Sequence, residues 1–105
     1  MTVTDIETFY DIVTQGTGFA YSRYFENRVP RMRDGDFSPL FMLQFMLKDA
    51  RLARDMVEDA GSRYPALSAV VATLEEADAK GWGSDDFSAA MKVLEIRTGK
   101  SIRRE

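Results

Sequence analysis

Apolar positions along this chain recur at steps of three and four, and no segment alternates at period two for more than a few residues, so the pattern predicts helices and no strand. The longest periodic run is Ser38 to Gly61. Within it Leu43, Met46, Ala50, Ala53, Val57 and Ala60 fall on one helical face. Ser38 suits an N-cap, because its hydroxyl accepts from a first-turn N–H. Pro39 suits the first helical position, where a missing N–H costs nothing. Gly61 suits the left-handed residue that ends a helix. The stretch from Leu40 to Leu47 is apolar on every side except Gln44, which predicts burial on most sides. The second half, with Lys48, Asp49, Arg51, Arg54, Asp55, Glu58 and Asp59, is expected to face water on one side. A helix of this size is about 30 Å long, and the rest of the fold is expected to pack around it.

Four shorter segments surround it. Thr4 and Glu7 fit a capping box ahead of a helix over 5–14, whose apolar stripe is Ile6, Phe9, Tyr10 and Val13. Gly16-Thr17-Gly18 breaks that helix. Two close glycines can cradle a phosphate, but no strand precedes them as a phosphate loop requires, so a helix-to-helix turn is expected. Tyr21, Tyr24 and Phe25 predict a second helix over roughly 19–28. Arginines 23, 28, 31 and 33 interleave with these rings, which suits single-stranded nucleic acid. The simpler expectation is a core stripe with a solvated basic edge. Residues 30–37 then read as a connector, with a turn at Asp34-Gly35. Pro65 is expected to open a helix that runs to Lys80, burying Leu67, Val70, Val71, Leu74 and Ala77, with Gly81 to end it. Ser84-Asp85-Asp86 places acids at the positive end of a last helix with Phe87, Ala90, Met91 and Leu94 inward and Gly99 at its close. The fold class is therefore all-α, a bundle of four to five helices forming one helical domain over 1–105.

Composition narrows the chemistry. The chain has 105 residues, no cysteine and no histidine. Disulfides, ordinary zinc sites, Ser-His and Cys-His nucleophile pairs and histidine acid–base chemistry are thereby removed, and no metal site is expected. The net charge of −3 disfavours nucleic acid as a partner. No apolar run reaches the ~18 residues of a membrane span, so no membrane partner is expected and a cytoplasmic location is the default.

The run Pro30-Arg31-Met32-Arg33-Asp34-Gly35-Asp36-Phe37-Ser38-Pro39-Leu40-Phe41, followed by Met46-Leu47-Lys48-Asp49-Ala50-Arg51-Leu52-Ala53, resembles a known pattern. It is similar to P-x-M-x-x-x-D-F-x-P-x-F and a helix with K-D-x-x-L-A in the C-terminal helical domain of the NAD(P)-dependent β-hydroxyacid dehydrogenases. That family includes 3-hydroxyisobutyrate dehydrogenase and tartronate semialdehyde reductase, and is related to 6-phosphogluconate dehydrogenase. The resemblance continues through Gly61, Pro65, Gly81 and Asp86-Phe87-Ser88. Members of the family begin with a Rossmann domain bearing G-x-G-x-x-G, then an interdomain helix whose catalytic lysine sits in G-x-x-x-K-x-x-x-N. Neither motif occurs here, and no lysine precedes Lys48.

The resemblance implies specific roles. Lys48 matches the family's lysine beside the cofactor, and Phe41 and Asp49 match positions on the substrate side of its cleft. The residues agree in part: Phe41, Gln44, Phe45, Lys48 and Leu52 share a helical face. A lysine on a half-buried aromatic face can hold an anion, whereas the plainer alternative is a lysine snorkelling from the core edge. The intact family uses NAD or NADP for hydride transfer with a β-hydroxyacid. Without a Rossmann half, this chain alone is expected to bind no cofactor and to have no dehydrogenase activity. The rival expectation is a free-standing oligomerisation or partner-binding module. In either case a homodimer is expected, or pairing with a separate Rossmann-domain chain.

Overall fold

In the computed structural model, residues 5–16 and 19–103 are described. They contain five α-helices: α1 (Ile6–Gln15), α2 (Arg23–Arg33), α3 (Leu43–Asp59), α4 (Pro65–Ala77) and α5 (Met91–Thr98). A π turn, Asp78–Trp82, follows α4, and a 3-10 turn, Phe87–Ala90, precedes α5. Among the described residues there is no strand, only an isolated antiparallel bridge between Met42 and Asp86. The fold class is all-α. No helix among them is long and apolar enough to cross a membrane. The chain divides into two compact units, one of Met1–Asp36 with Ser101–Glu105 and one of Phe37–Lys100.

The first unit is built on the α1–α2 pair. Asp5 is the N-cap of α1 and its carboxylate accepts from Thr8 N at 2.8 Å. The expected cap, Thr4, lies outside the described residues. The capping box of Thr4 and Glu7 therefore lies partly outside the described residues; Glu7 also accepts from Arg33 Nη1 of α2 at 2.9 and 3.0 Å. Ser22 caps α2 by accepting from Phe25 N. The second helix therefore starts later than expected and continues through Pro30, where a connector was predicted. Phe25 joins the pair, with its ring 5.8 Å from Phe9 and 6.1 Å from Tyr10. The expected core stripe is otherwise open: Tyr21 and Tyr24 are exposed, with the Arg28 guanidinium 5.1 Å above the Tyr24 ring. Neither helix contains a fully buried residue. The turn at Thr17 and Gly18 lies outside the described residues.

The second unit carries the core. Leu43, Leu47 and Ala50 of α3 pack on Val71, Leu74 and Ala77 of α4, with Ala89 and Val93 also buried. Pro65 occupies the first turn of α4, as its fixed φ allows. Gly61 ends α3 at φ 81°, with Gly61 N donating to Glu58 O and Ser62 N to Val57 O. Two expectations need correction here. Val70 and Leu94, placed inward by the sequence pattern, are exposed. For Leu94 the reason is the 3-10 turn at 87–90, whose three residues per turn shift the phase, so Ser88, Ala89 and Val93 point inward instead.

The larger correction concerns the start of α3. Ser38 and Pro39 do not open it; the helix begins at Leu43 after an extended Met42. Its first N–H groups are satisfied from elsewhere in the unit. Leu43 N donates to Asp85 O at 2.8 Å and Gln44 N to Gly83 O at 2.9 Å. Backbone carbonyls from the loop after the π turn thus replace a side-chain cap. Gly83 is buried at this junction, and a Cβ there would collide with Asp78 Oδ1.

Candidate functional site

Asp86 sets the position of Phe41 and of the entry to α3. Its carboxylate is fully buried and accepts four hydrogen bonds. Oδ1 takes Leu40 N at 3.0 Å and Phe41 N at 3.1 Å. Oδ2 takes Ser88 N at 3.1 Å and Ser88 Oγ at 2.6 Å. The backbone reinforces the clamp, with Asp86 N donating to Phe37 O at 2.8 Å and Phe87 N to Phe41 O at 2.9 Å. A buried carboxylate is tolerated because every acceptor direction meets a donor. Sequence reasoning placed Asp86 only as an acid at a helix N-terminus. It does cap the 3-10 turn, but its other oxygen fastens a segment more than forty residues earlier in the chain.

Lys92 locks the same region from a second direction. Its ammonium lies 4.4 Å from the Phe37 ring centroid and 4.6 Å from that of Trp82. Asp85 Oδ2 is 3.8 Å away. The sequence carried no local signal for this arrangement, since the four residues come from three separate segments.

On this support, Phe41 packs its ring 6.3 Å from Phe45 and 6.1 Å edge-on to Phe87. Lys48 and Asp49 follow on the first turns of α3. All three sequence-implied residues therefore belong to one stretch of surface, and all three are exposed. The half-buried setting expected for Lys48 is not found. Phe41, Gln44, Phe45, Lys48 and Leu52 are each exposed, so no burial strengthens the field of the ammonium and no core edge is there to snorkel from. The prediction that residues 40–47 are buried on most sides fails for the same reason. Leu43 and Leu47 are inside, but Leu40 and Phe45 are 59% and 49% exposed.

At about 100° per residue, Phe45, Leu52 and Met56 lie within about 20° of one line along α3, and the buried Leu43, Leu47 and Ala50 lie on the opposite side. Lys48 flanks this exposed apolar line at about 60° on one side and Asp49 at about 40° on the other. Neither Lys48 nor Asp49 has a hydrogen-bond or ion-pair partner among the described residues. The helix thus presents an open apolar stripe with Lys48 and Asp49, both unpaired among the described residues, on its two edges. Such a surface can donate a charged contact to an anion and apolar contacts to a flat ligand or helix. Being convex, it encloses neither by itself. No cluster of metal-ligating side chains occurs among the described residues.

The chain is similar to known proteins over most of its length. The sequence profile described as NAD-binding of NADP-dependent 3-hydroxyisobutyrate dehydrogenase matches residues 4–94. An L-threonate dehydrogenase from Haemophilus influenzae is 31% identical over 89 residues, 85% of this chain and 29% of that protein. A 2-(hydroxymethyl)glutarate dehydrogenase from Eubacterium barkeri is 29% identical over 97 residues, 91% of this chain and 32% of that protein. The crystal structure of a 3-hydroxyisobutyrate dehydrogenase from Salmonella typhimurium superposes with a TM-score of 0.74 at 30% identity, covering 83% of this chain and 30% of that one. The chain spans about a third of the length of the relatives it matches, and the matched region runs from α1 into α5. It belongs to the family described as NAD-binding of NADP-dependent 3-hydroxyisobutyrate dehydrogenase, whose members are NAD(P)-linked hydroxyacid dehydrogenases.

Proposed function

We propose that this chain is the C-terminal helical domain of an NAD(P)-dependent β-hydroxyacid dehydrogenase, and that it turns over no substrate by itself. One observation supports the reading: Lys48 and Asp49 lie on the exposed face of α3 without a partner among the described residues, and the Phe41 ring, from the segment before α3, packs 6.3 Å from Phe45 on that face; these are the positions the family resemblance implies for the cleft. A face of this kind acts only when a second body closes over it. The dinucleotide supplies hydride transfer in such an enzyme. Lys48 fits one anionic group of it, a phosphate oxygen. Phe41 and Asp49 lie where a hydroxyacid would be bounded. No second residue of α3 adds a positive charge beside Lys48 on the stripe, so the dinucleotide's main hold must come from the nucleotide-binding half.

The test is complementation. The nucleotide-binding part of the Haemophilus L-threonate dehydrogenase, with its interdomain helix, is co-expressed with this chain. NAD(P)H formation is then followed at saturating hydroxyacid. Turnover only when both parts are present, reduced by Lys48→Ala through a higher KM for the dinucleotide, supports the reading. Turnover by this chain alone, or none from the pair when each part is folded, overturns it.

The second reading is a self-associating module without its own chemistry. The apolar line of Phe45, Leu52 and Met56 favours it.

A further inference from the structure

The exposed line on α3 has a charge pattern that matches itself in one orientation. Phe45, Leu52 and Met56 are 49%, 54% and 72% exposed and run the length of the helix. Lys48, Asp55 and Asp59 all edge this line on the same side, within about 20° of a common direction. The other edge carries Asp49, then Ala53 and Ala60.

A two-fold axis through Leu52 and perpendicular to α3 brings a second copy antiparallel and keeps like edges together. Lys48 lies about 6 Å before Leu52 along the helix; Asp55 and Asp59 lie about 5 and 10 Å beyond it. The two-fold therefore sets Lys48 of each copy between Asp55 and Asp59 of the other, giving two equivalent charge pairings. On the opposite edge Asp49 meets Ala53 and Met56, so no like charges are opposed. Phe45 falls against the far end of the second copy's stripe, near Met56. Asp59 and Lys48 have no ion-pair partner among the described residues, and Asp55 contacts only Arg54, at 3.6 Å across an exposed pair. A parallel pairing would match Lys48 to Asp49 and leave Asp55 and Asp59 facing alanines.

We propose that the open face of α3 is a homodimer surface, on which a second copy of this chain packs antiparallel about Leu52 with Lys48 set between the second copy's Asp55 and Asp59. Buried area does not by itself set affinity, so the dimer is sought over a wide concentration range. The pairing covers Lys48 and Asp49. A paired chain cannot present them to a nucleotide-binding half, and self-association and that partnership exclude each other. The inference does not rest on the dehydrogenase reading, because it uses only the face of α3.

Sedimentation equilibrium from low to several hundred micromolar tests it. The expected result is a monomer–dimer equilibrium built on 11.9 kDa, abolished by Leu52→Glu. Lys48→Asp alone and Asp55→Lys/Asp59→Lys alone each weaken the dimer by at least about tenfold, since two attractive pairs become repulsive. An equimolar mixture of those two variants restores a heterodimer at wild-type strength. Circular dichroism confirms that each variant keeps its helix content. A wild-type chain that stays at monomer mass throughout overturns the proposal. So does a dimer indifferent to either charge reversal, and so does a mixture of folded variants that fails to associate.

Discussion

The Tyr10 hydroxyl donates to the carbonyl of Glu26 at 3.0 Å, across the α1–α2 pair. Glu26 is four residues before Pro30, and Pro30 has no N–H to complete that helical bond. One side chain from α1 thus supplies a donor that α2 lacks, and α2 continues through a proline that would ordinarily end it.

That relationship predicts a coupling. Tyr10→Phe should lower the stability of the α1–α2 pair by about 0.5–1 kcal/mol, the low end for a hydrogen bond because the site is open to water. In a Pro30→Ala background the helix regains its own donor, and the same substitution should cost less. Amide exchange across α2 in the four proteins of this cycle measures it. Equal costs in both backgrounds would show that the hydroxyl does not replace the missing N–H.

Asp86→Ala should destabilise the Phe37–Lys100 unit by more than about 3 kcal/mol, because four donors lose one buried charged acceptor. Asp86→Asn keeps the shape but turns an NH2 toward donors, and should fall between alanine and wild type. Urea unfolding followed through Trp82 fluorescence reports the difference. A loss under about 1 kcal/mol for the alanine variant would mean that water replaces the carboxylate.

Lys92→Met keeps the aliphatic stem and removes the cation held between Phe37 and Trp82. With the side chain only 15% exposed, the expected cost is about 1–2 kcal/mol. Trp82 emission should shift in the folded protein. Unchanged stability and emission would make the ring contacts incidental.

The pH dependence of α1 follows from Asp5. Hydrogen bonds from Thr8, first its backbone N–H and then its hydroxyl, lower the Asp5 pKa from its ordinary 3.8. A depressed folded pKa means that the cap contributes fully above that ordinary value. The contribution declines as pH falls below it and is gone once the lowered folded pKa is passed. The Thr8 amide resonance should titrate in that acid window in the wild type and not in Asp5→Asn. A Thr8 amide that titrates equally in both proteins would remove the cap from the account.

Local rules were legible wherever the chain needs only its neighbours. Gly61 and Gly99 take positive φ at helix ends, and Pro65 sits in a first turn, because backbone sterics act within a few residues; Gly81 also has positive φ, but inside the π turn, since α4 ends at Ala77 rather than at the expected Lys80. Ser38-Pro39 is as good a local start signal as Pro65, and it failed. The donors of Leu40 and Phe41 go to Asp86, and those of Leu43 and Gln44 go to Asp85 and Gly83. Pro30 failed as a stop signal because Tyr10 answered the carbonyl it orphans. In each case a distant group met a backbone valence that propensity assigns locally.

By itself the amino-acid order determined that the protein is helical, where most helices end, and which residues, Phe41, Lys48 and Asp49, resemble a dehydrogenase cleft. Period and chain-end chemistry are properties of neighbours, and a motif is read in linear order. The tertiary structure decided which side of α3 is buried and which is open. Leu43 and Phe45 are equally apolar in sequence, and only the packing of α4 against one of them leaves the other in water. Burial depends on what covers a residue, and the covering helix arrives from a different part of the chain. That choice sets Lys48 and Asp49 on an exposed apolar face, where a second chain can reach them.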